Sequence, residues 1–412
     1  MEKKGYNQAI ELLHSCVTPD GFLASPTEQA NYRRIWARDG VVIGLSALLS
    51  GDTELIKTFK QTLETLAHYQ GPHGEIPSNV DTLTQRVSYG GTTGRIDSDL
   101  WFIIGCGEYW QATGDNDFIE RMMPVIEKVR FLLGAWEYNN RGLLYVPQAG
   151  DWSDEYLHSG YILYDQVLYY QALRTICHIH SHIHGTMDHA LVEKTTHLKH
   201  LVRTNYWFDH KDEDDGDIYH RVLYNKGKKA APHRQGDYCY WMPSFSPIGY
   251  SYRFDAFANV LVSLFDIADD EQRKCVNHFI NETVHDEMPL LPAFSPVVQP
   301  MDRDWEELQM TFSYTFKNKP FEYHNGGLWP MLTGFYVADL VKQDEIQIAK
   351  KHMAAIHNAN ALVMDDKEWS FPEFVHGQRF TSGGTFNQGW SAAAAVIGEH
   401  TLNNQTLFRI HE

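Results

Sequence analysis

GRIDSDLWFIIGCGEYWQATGDNDFIERMMPVIEKVRFLLGAW, residues 94–136, contains the unit from which the fold can be read. From 98 to 112 the run is apolar and rich in small residues, with carboxyls only at Asp99 and Glu108. A helix apolar on every side has to be enclosed by protein. The turn that begins at Thr113 places Gly114 to end that helix and Asp115 to cap the next. The helix expected over 116–136 is charged and amphipathic, so it can turn one face to water.

The same pairing recurs along the chain. Apolar segments fall at 39–50, 164–183, 254–267, 325–341 and 388–399, and charged partners at 53–68, 187–204, 270–284 and 344–357. The N-terminal segment 6–16 supplies a sixth partner. Six enclosed helices alternating with six amphipathic ones predict an inner ring wrapped by an outer ring: all-α, an (α/α)6 barrel. An irregular helical domain or an α-solenoid is the alternative. No shift of composition marks a linker, so residues 1–412 are expected to form one domain. The longest irregular stretch, about 205–250, includes HKDEDDGDIYH and a Pro/Ser/Gly-rich run. Long loops are therefore expected over one mouth and short turns at the other.

Fifty-three acidic residues against 35 basic give a net charge of −18 over 412 residues. That balance repels phosphate backbones and anionic lipid, which argues against nucleic-acid and membrane partners. No apolar run is long enough to span a bilayer, and the N-terminus lacks a signal-peptide core. Cysteines 16, 106, 177, 239 and 275 are odd in number and without CxxC spacing. Mostly buried free thiols and a reducing cytoplasm are expected. A homo-oligomer is compatible with all of this.

Polar residues gather where the apolar helices begin: RIWARD (34–39), GRIDSD (94–99), GYILYDQ (160–166), YRFD (252–255), EYHNGG (322–327) and TFNQGW (385–390). If those helices run parallel, six positive N-termini meet at one mouth and suit oxygen-rich ligands. Asp39, Asp97, Asp255 and Asn325 also read as ordinary N-caps. Two carboxyls stand out, Asp97 at the head of an apolar helix and Glu373 in the loop EWSFPEFVHG. Glycoside hydrolysis needs one carboxyl to protonate the leaving oxygen and another to activate water or attack. Trp101, Phe371 and Phe374 are apolar neighbours that would raise a carboxyl pKa.

Trp36, Trp152, Trp241, Trp329 and Trp390 are candidates for stacking on sugar rings, or for filling the core. Asp151, Asp154 and Glu155 could grip sugar hydroxyls or simply be solvated. His324 and Asn325 are read as hydroxyl ligands or caps, and Asp99 rivals Asp97 as the acid. HIHSHIH (178–184) has metal-like i, i+4 spacing but sits at the far end of its helix, where cationic histidine is favoured anyway. No cofactor or metal is implied.

YHNGGLWP (323–330), GRIDSDLWFI (94–103), WARDG (36–40) and FPEF (371–374) resemble the neutral/alkaline invertase family. They also resemble the related amylo-α-1,6-glucosidase domain of glycogen-debranching enzymes. The resemblance spans nearly the whole chain and implies an (α/α)6 barrel that hydrolyses a glycosidic bond with inversion. It implies Asp97 as general acid and Glu373 as general base, with Arg38 and Asp39 among the sugar-holding residues. DWSDE (151–155) is closer to the debranching type, so an α-glucosidic bond in a small saccharide, sucrose-like or α-1,6-linked, is the shared expectation. The competing readings are a sugar 2-epimerase using His324 and His376 as paired bases, and a non-catalytic sugar-binding protein.

Overall fold

A computed structural model describes residues 2–208, 216–236, 238–311 and 315–410; most of the acidic run HKDEDDG lies outside the described residues. In chain order the helices are α1 (Glu2–Ser15), α2 (Ala37–Ser50), α3 (Thr53–His68), α4 (Asp97–Thr113), α5 (Asn116–Trp136) and α6 (Leu163–His184). They continue with α7 (His189–Tyr206), α8 (Arg221–Gln235), α9 (Ala256–Leu264) and α10 (Asp270–Thr283). The last four are α11 (Trp305–Gln309), α12 (Pro330–Lys342), α13 (Ile346–Asn360) and α14 (Gly389–Leu402).

The apolar helices close on themselves. Helix α2 packs on α4, α4 on α6, α6 on α9, α9 on α12, α12 on α14, and α14 back on α2. Thirteen consecutive residues of α2, from Ala37 to Leu49, are buried, as are all those of α4 from Asp97 to Trp110. Outside them, α3, α5, α7 and α13 lie on α2, α4, α6 and α12, and α1 lies against α13 and α14. Helix α10 is tied in by Asn277, which bonds Gln343 and receives the Tyr336 hydroxyl.

Inner helices reverse into outer ones through short turns. Gly51, Gly114 and Gly185 end α2, α4 and α6 in the left-handed conformation, and the side chains of Asp52, Asp115, Asp188 and Asp269 cap α3, α5, α7 and α10. The return paths are long and carry short strands. Residues 35–36 pair with 79–81, which pair with 86–88; residues 161–162 pair with 244–246; residues 254–255 pair with 294–295.

At the opposite end the C-terminal segment crosses the ring. Glu108 of α4 accepts the backbone N–H groups of Arg409 and Ile410 at 2.8 and 3.2 Å, and Phe408 packs on Phe265. Burial pushes the Glu108 carboxyl up to about 7, with those two N–H groups working the other way.

Three expectations need correction. The 205–250 stretch is not wholly irregular: it holds α8, whose stripe of Tyr224, Gly227 and Ala231 is buried. Gly227 lies under Tyr250 and Phe208, and its small size together with Pro232 and many lysines hid the helical period. The helix expected from 325 begins at Pro330, because 328 bridges to 292 and to 375 instead. Of the five free thiols, Cys16 and Cys106 are buried, Cys177 and Cys275 partly so, and Cys239 is exposed.

Helices α12 and α14 meet at glycine. A Cβ on Gly334 would lie 2.8 Å from the Cα and Cβ of Ala394, and backbone there cannot yield. Gly334→Val is therefore expected to destabilise the fold by about 1–3 kcal/mol or more through overpacking. Urea denaturation of the two proteins checks this; an unchanged midpoint would show that the ring has slack at this seam.

Candidate active site

The heads of the inner helices touch one another, so they share one mouth. Arg38, in the first turn of α2, donates from Nη1 to Oδ2 of Asp97, the first residue of α4. The hydroxyl of Tyr164, at the start of α6, lies 3.3 Å from the same oxygen and also receives the indole N–H of Trp101. The Tyr164 ring packs on Phe257 of α9. On the other side the Arg38 guanidinium lies 5.9 Å over the ring of Trp390 on α14, and Trp390 packs edge-on against Trp329, which caps α12.

Asp97 is fully buried, and its Oδ1 has no protein hydrogen-bond partner. Asp39 is buried beside it. Burial pushes its carboxyl up to about 7, Arg38 opposes the shift, and the charges of Glu373 and Asp97 add to it. Asp39 therefore lies within electrostatic reach of both carboxyls singled out in the sequence.

Glu373 comes from the loop between α13 and α14. The Tyr32 hydroxyl donates to its Oε1 at 2.6 Å, while the backbone N–H of Thr385 donates to Oε2 at 3.0 Å. Gly384 makes this clasp feasible: its φ is +72°, and a Cβ there would lie 2.3 Å from Oε2. Burial holds the Glu373 carboxyl above the usual range, with the Tyr32 and Thr385 bonds pulling it back.

Asp154 joins the two halves. Its carboxylate receives Arg95 and the Tyr323 hydroxyl, both at 3.1 Å, and lies 3.4 Å from His324 Nε2. Burial works against its charge, but Arg95, His324 and Arg38 outweigh that and hold it well below the ordinary carboxylate range. Lys317 lies 3.2 Å from Glu155, and Asn318 donates to the Glu155 carbonyl. The side chains of Asp154, Glu155 and Lys317 keep 23%, 18% and 45% of their exposure, whereas Asp97 keeps none, so solvent meets this group first. Non-glycine residues with positive φ recur around it, at Glu155, Phe321, Tyr323 and Phe371. Such strain concentrates where surrounding structure dictates a side chain's aim.

The remaining sequence candidates divide. Trp152 and Trp390 are buried with unpartnered indole N–H groups; Trp329 donates its own to the Tyr323 carbonyl, and Trp241 packs on Trp207. Trp36 is partly exposed and stacks on Tyr32. His324 lies between the rings of Trp152 and Trp329. Asn325 is neither a cap nor open: its amide bonds the backbone of Val298 and Asn318. Asp99 accepts the Ile76 N–H at 2.6 Å, and Asp151 accepts Ser153 at both oxygens. Asp97 and Asp39 are not caps either, whereas Asp255 caps α9.

His376 is held by the N–H groups of Gln378 and Arg379, and it stacks on Phe321 rather than pairing with His324. In the histidine run, His180 bonds Glu127 at 2.7 Å and His182 packs on Trp110. Among the described residues no group of three His, Cys, Asp or Glu is placed to hold a metal, and no helix is long and apolar enough to cross a membrane.

Sequence reading missed Tyr32 and Lys317, which carry no motif signal, and gave Thr385 no role although it opens TFNQGW. It also missed Asp165, a buried carboxyl on α6 with neither oxygen partnered. Burial, with Asp151, Asp97 and Asp255 nearby, holds Asp165 well above the carboxylate range.

A closed ring of inner helices wrapped by outer ones, with acidic and aromatic side chains at one mouth, defines an (α/α)6 glycosidase fold. Solved structures of that fold superpose along the chain. A GH63 mannosylglycerate hydrolase from Thermus thermophilus gives a TM-score of 0.62 at 12% identity, over 95% of this chain and 99% of that one. A bacterial glucoamylase complexed with acarbose gives 0.67 at 14%, over 98% and 56%. Residues 12–405 match the alkaline and neutral invertase family, and the chain belongs to it. It is a glycoside hydrolase. Probable alkaline/neutral invertase F of Arabidopsis thaliana is 25% identical over 430 residues, covering 92% of this chain and 82% of that protein. Cytosolic invertase 1 of Oryza sativa subsp. japonica is 25% identical over 427 residues, covering 92% and 73%.

The clasp on Glu373 makes a pH prediction. Tyr32 bonds the charged form, so Tyr32→Phe should raise the Glu373 pKa further above the ordinary glutamate value. A carboxyl-carbon NMR titration reads this directly. In wild type the ionised form should be lost as pH falls through the raised pKa, and in Tyr32→Phe at still higher pH. An equal or lower midpoint in the variant would remove Tyr32 from this role.

Proposed function

We propose that this chain hydrolyses an α-glucosidic bond in a small saccharide, sucrose or an α-1,6-linked glucoside, with inversion at the anomeric carbon. Asp97 is the general acid and Glu373 the general base. The observation that carries the reading is the difference in how two buried carboxyls near Asp39 are held. Asp97 is gripped at Oδ2 by Arg38 and keeps Oδ1 unpartnered, which suits an atom that hands a proton to a leaving oxygen. Glu373 is oriented at both oxygens by neutral donors, and a carboxylate so held still has lone pairs for a water.

Charge balance supports proton storage at this mouth. Arg38 and Arg95 face Asp39, Asp97, Asp154 and Asp165, so carboxyls outnumber guanidiniums and not all of them can be ionised at once. In the reaction the Asp97 proton passes to the glycosidic oxygen as its bond to the anomeric carbon breaks. Glu373 takes a proton from the water that attacks that carbon on the opposite face. Trp152, Trp390 and Trp36 provide ring faces, and Asp39, Asp151, Asp154, Glu155 and His324 provide acceptors for hydroxyls. The free thiols, and a relative named as cytosolic, support a reducing, cytoplasmic setting.

Sucrose, isomaltose, maltose, trehalose and glucosylglycerate, assayed by released glucose, identify the substrate. On the best of these, Asp97→Asn and Glu373→Gln should each lower turnover by roughly 10²–10⁴-fold or more, with an unchanged far-UV circular dichroism spectrum. Near-normal turnover in either variant would strip that residue of its role. Proton NMR should show β-glucose as the first anomer; α-glucose first would overturn inversion.

A further inference from the structure

Two thiols meet at the surface of the outer layer, on α10. Cys275 lies in the second turn of that helix, and His278 and Phe279 follow one turn along on the same face. The segment 238–240 crosses this face. The ring of Tyr238 lies 5.7 Å from that of His278 and 5.2 Å from that of Phe279, and the ring of Tyr240 lies 4.6 Å from Phe279. With its neighbours on both sides seated on α10, Cys239 meets Cys275, and their side chains are hydrogen-bonded.

This pair stands apart from the other cysteines. Burial pushes the Cys16 thiol up to about 12 and holds that of Cys106 well above its ordinary range, so both are inert. Cys177, on α6, has its sulfur 3.8 Å from the Thr195 hydroxyl. Cys239, by contrast, is exposed, and Cys275 partly so. Residues 238–243 form neither helix nor strand, so Cys239 can close the remaining gap by a backbone shift that α10 need not share. Just beyond it the chain is tied to the barrel. The Trp241 N–H donates to Asn259 Oδ1 at 3.0 Å, and the Pro243 carbonyl receives the Leu163 N–H at 2.8 Å, at the head of α6. Nothing in the glycosidase reading uses either thiol.

We propose that Cys239 and Cys275 are a modification site for low-molecular-weight disulfides, which convert the two thiols into one intramolecular disulfide. The Cys239 thiolate attacks one sulfur of the reagent RSSR and forms a mixed disulfide, and the departing RS⁻ takes up the Cys239 proton as RSH. Cys275 then loses its proton and attacks the Cys239 sulfur, expelling the second RSH. Two electrons and two protons pass from the protein to RSSR. Burial, with Cys239, Glu271 and Asp269 adding to it, holds the Cys275 thiol above its ordinary range. Cys275 therefore stays protonated until a leaving group sits beside it, and the exposed Cys239 reacts first. A reducing compartment keeps the pair as thiols and makes the bond transient.

Glutathione disulfide is the probe, applied to folded wild type, Cys239→Ser, Cys275→Ser and Asp97→Asn, with peptide masses read without reductant. Wild type and Asp97→Asn should each join the peptides of Cys239 and Cys275 through a disulfide that dithiothreitol reverses. Cys275→Ser should keep one glutathione on Cys239, and Cys239→Ser should leave Cys275 unmodified over the same time. Phenylarsine oxide, which bridges two close thiols with loss of one water and needs no oxidant, should bind wild type and neither single variant. Cys239 is exposed, so its serine variant should fold, and melting curves verify all four proteins. Glutathione persisting on Cys239 of wild type without a bridge, a bridge between Cys239 residues of two chains, or arsenical binding that survives Cys275→Ser would each overturn the proposal. Because mass is the readout, loss of the glycosidase reading would leave this test intact.

Discussion

Everything at the mouth depends on one buried ion pair. The side chain of Asp97 has no exposure and that of Arg38 only 8%, and the buried Arg38 charge is offset by Asp97, Asp39 and Asp154 together. The pair joins the heads of α2 and α4. Through Tyr164 and Trp390 the same two residues reach α6 and α14. Removing Asp97 would take away one of the carboxyls that hold the Arg38 charge where six helix ends converge. The N-terminal ends of those helices offset part of the cost for the carboxylates, which explains why Asp39, Asp97, Asp99 and Asp165 all stand in first helical turns.

The two ends of the barrel differ because the chain reaches them differently. An inner helix passes into its outer partner through a few residues, and a Gly–Asp turn is enough. The outer helix must then cross to the next inner one, and that longer path runs over the mouth. Those return segments bring Tyr32, Arg95, Asp154, Lys317, Tyr323 and Glu373 to the site, pinned by strands of two or three residues and by hydrogen bonds such as Glu373–Thr385. The other end needs no such reach, and the C-terminal segment covers it with Phe408 against Phe265 and Phe335.

Much of this was legible in local pattern. Residues 94–136 display the hairpin unit outright, because a helix with no polar face next to one with a strong polar face leaves little choice of layer. The Gly–Asp turns, and the acidic heads of α2 and α4, follow from chemistry confined to a few residues. Helix α8 stayed hidden because Gly227 packs under aromatic rings from elsewhere, a reason no local window contains. Asn325 has the residue type of a ligand or a cap, and only the fold shows its amide spent on Val298 and Asn318. Cys239 gave no sign of its exposure.

By itself the sequence determined which helices lie inside, where each begins within a few residues, and the acidic residues at the heads of α2 and α4. Hydrophobic period and helix capping act over four to eight residues, so a linear reading captures them. Tertiary structure alone decided which of those carboxyls meet and how each is held. The partners of Glu373 at Tyr32 and Thr385, and of Asp97 at Arg38 and Tyr164, come from segments up to 341 residues apart. Burial and charge at a site are sums over everything brought near it, and that neighbourhood exists only once the ring has closed.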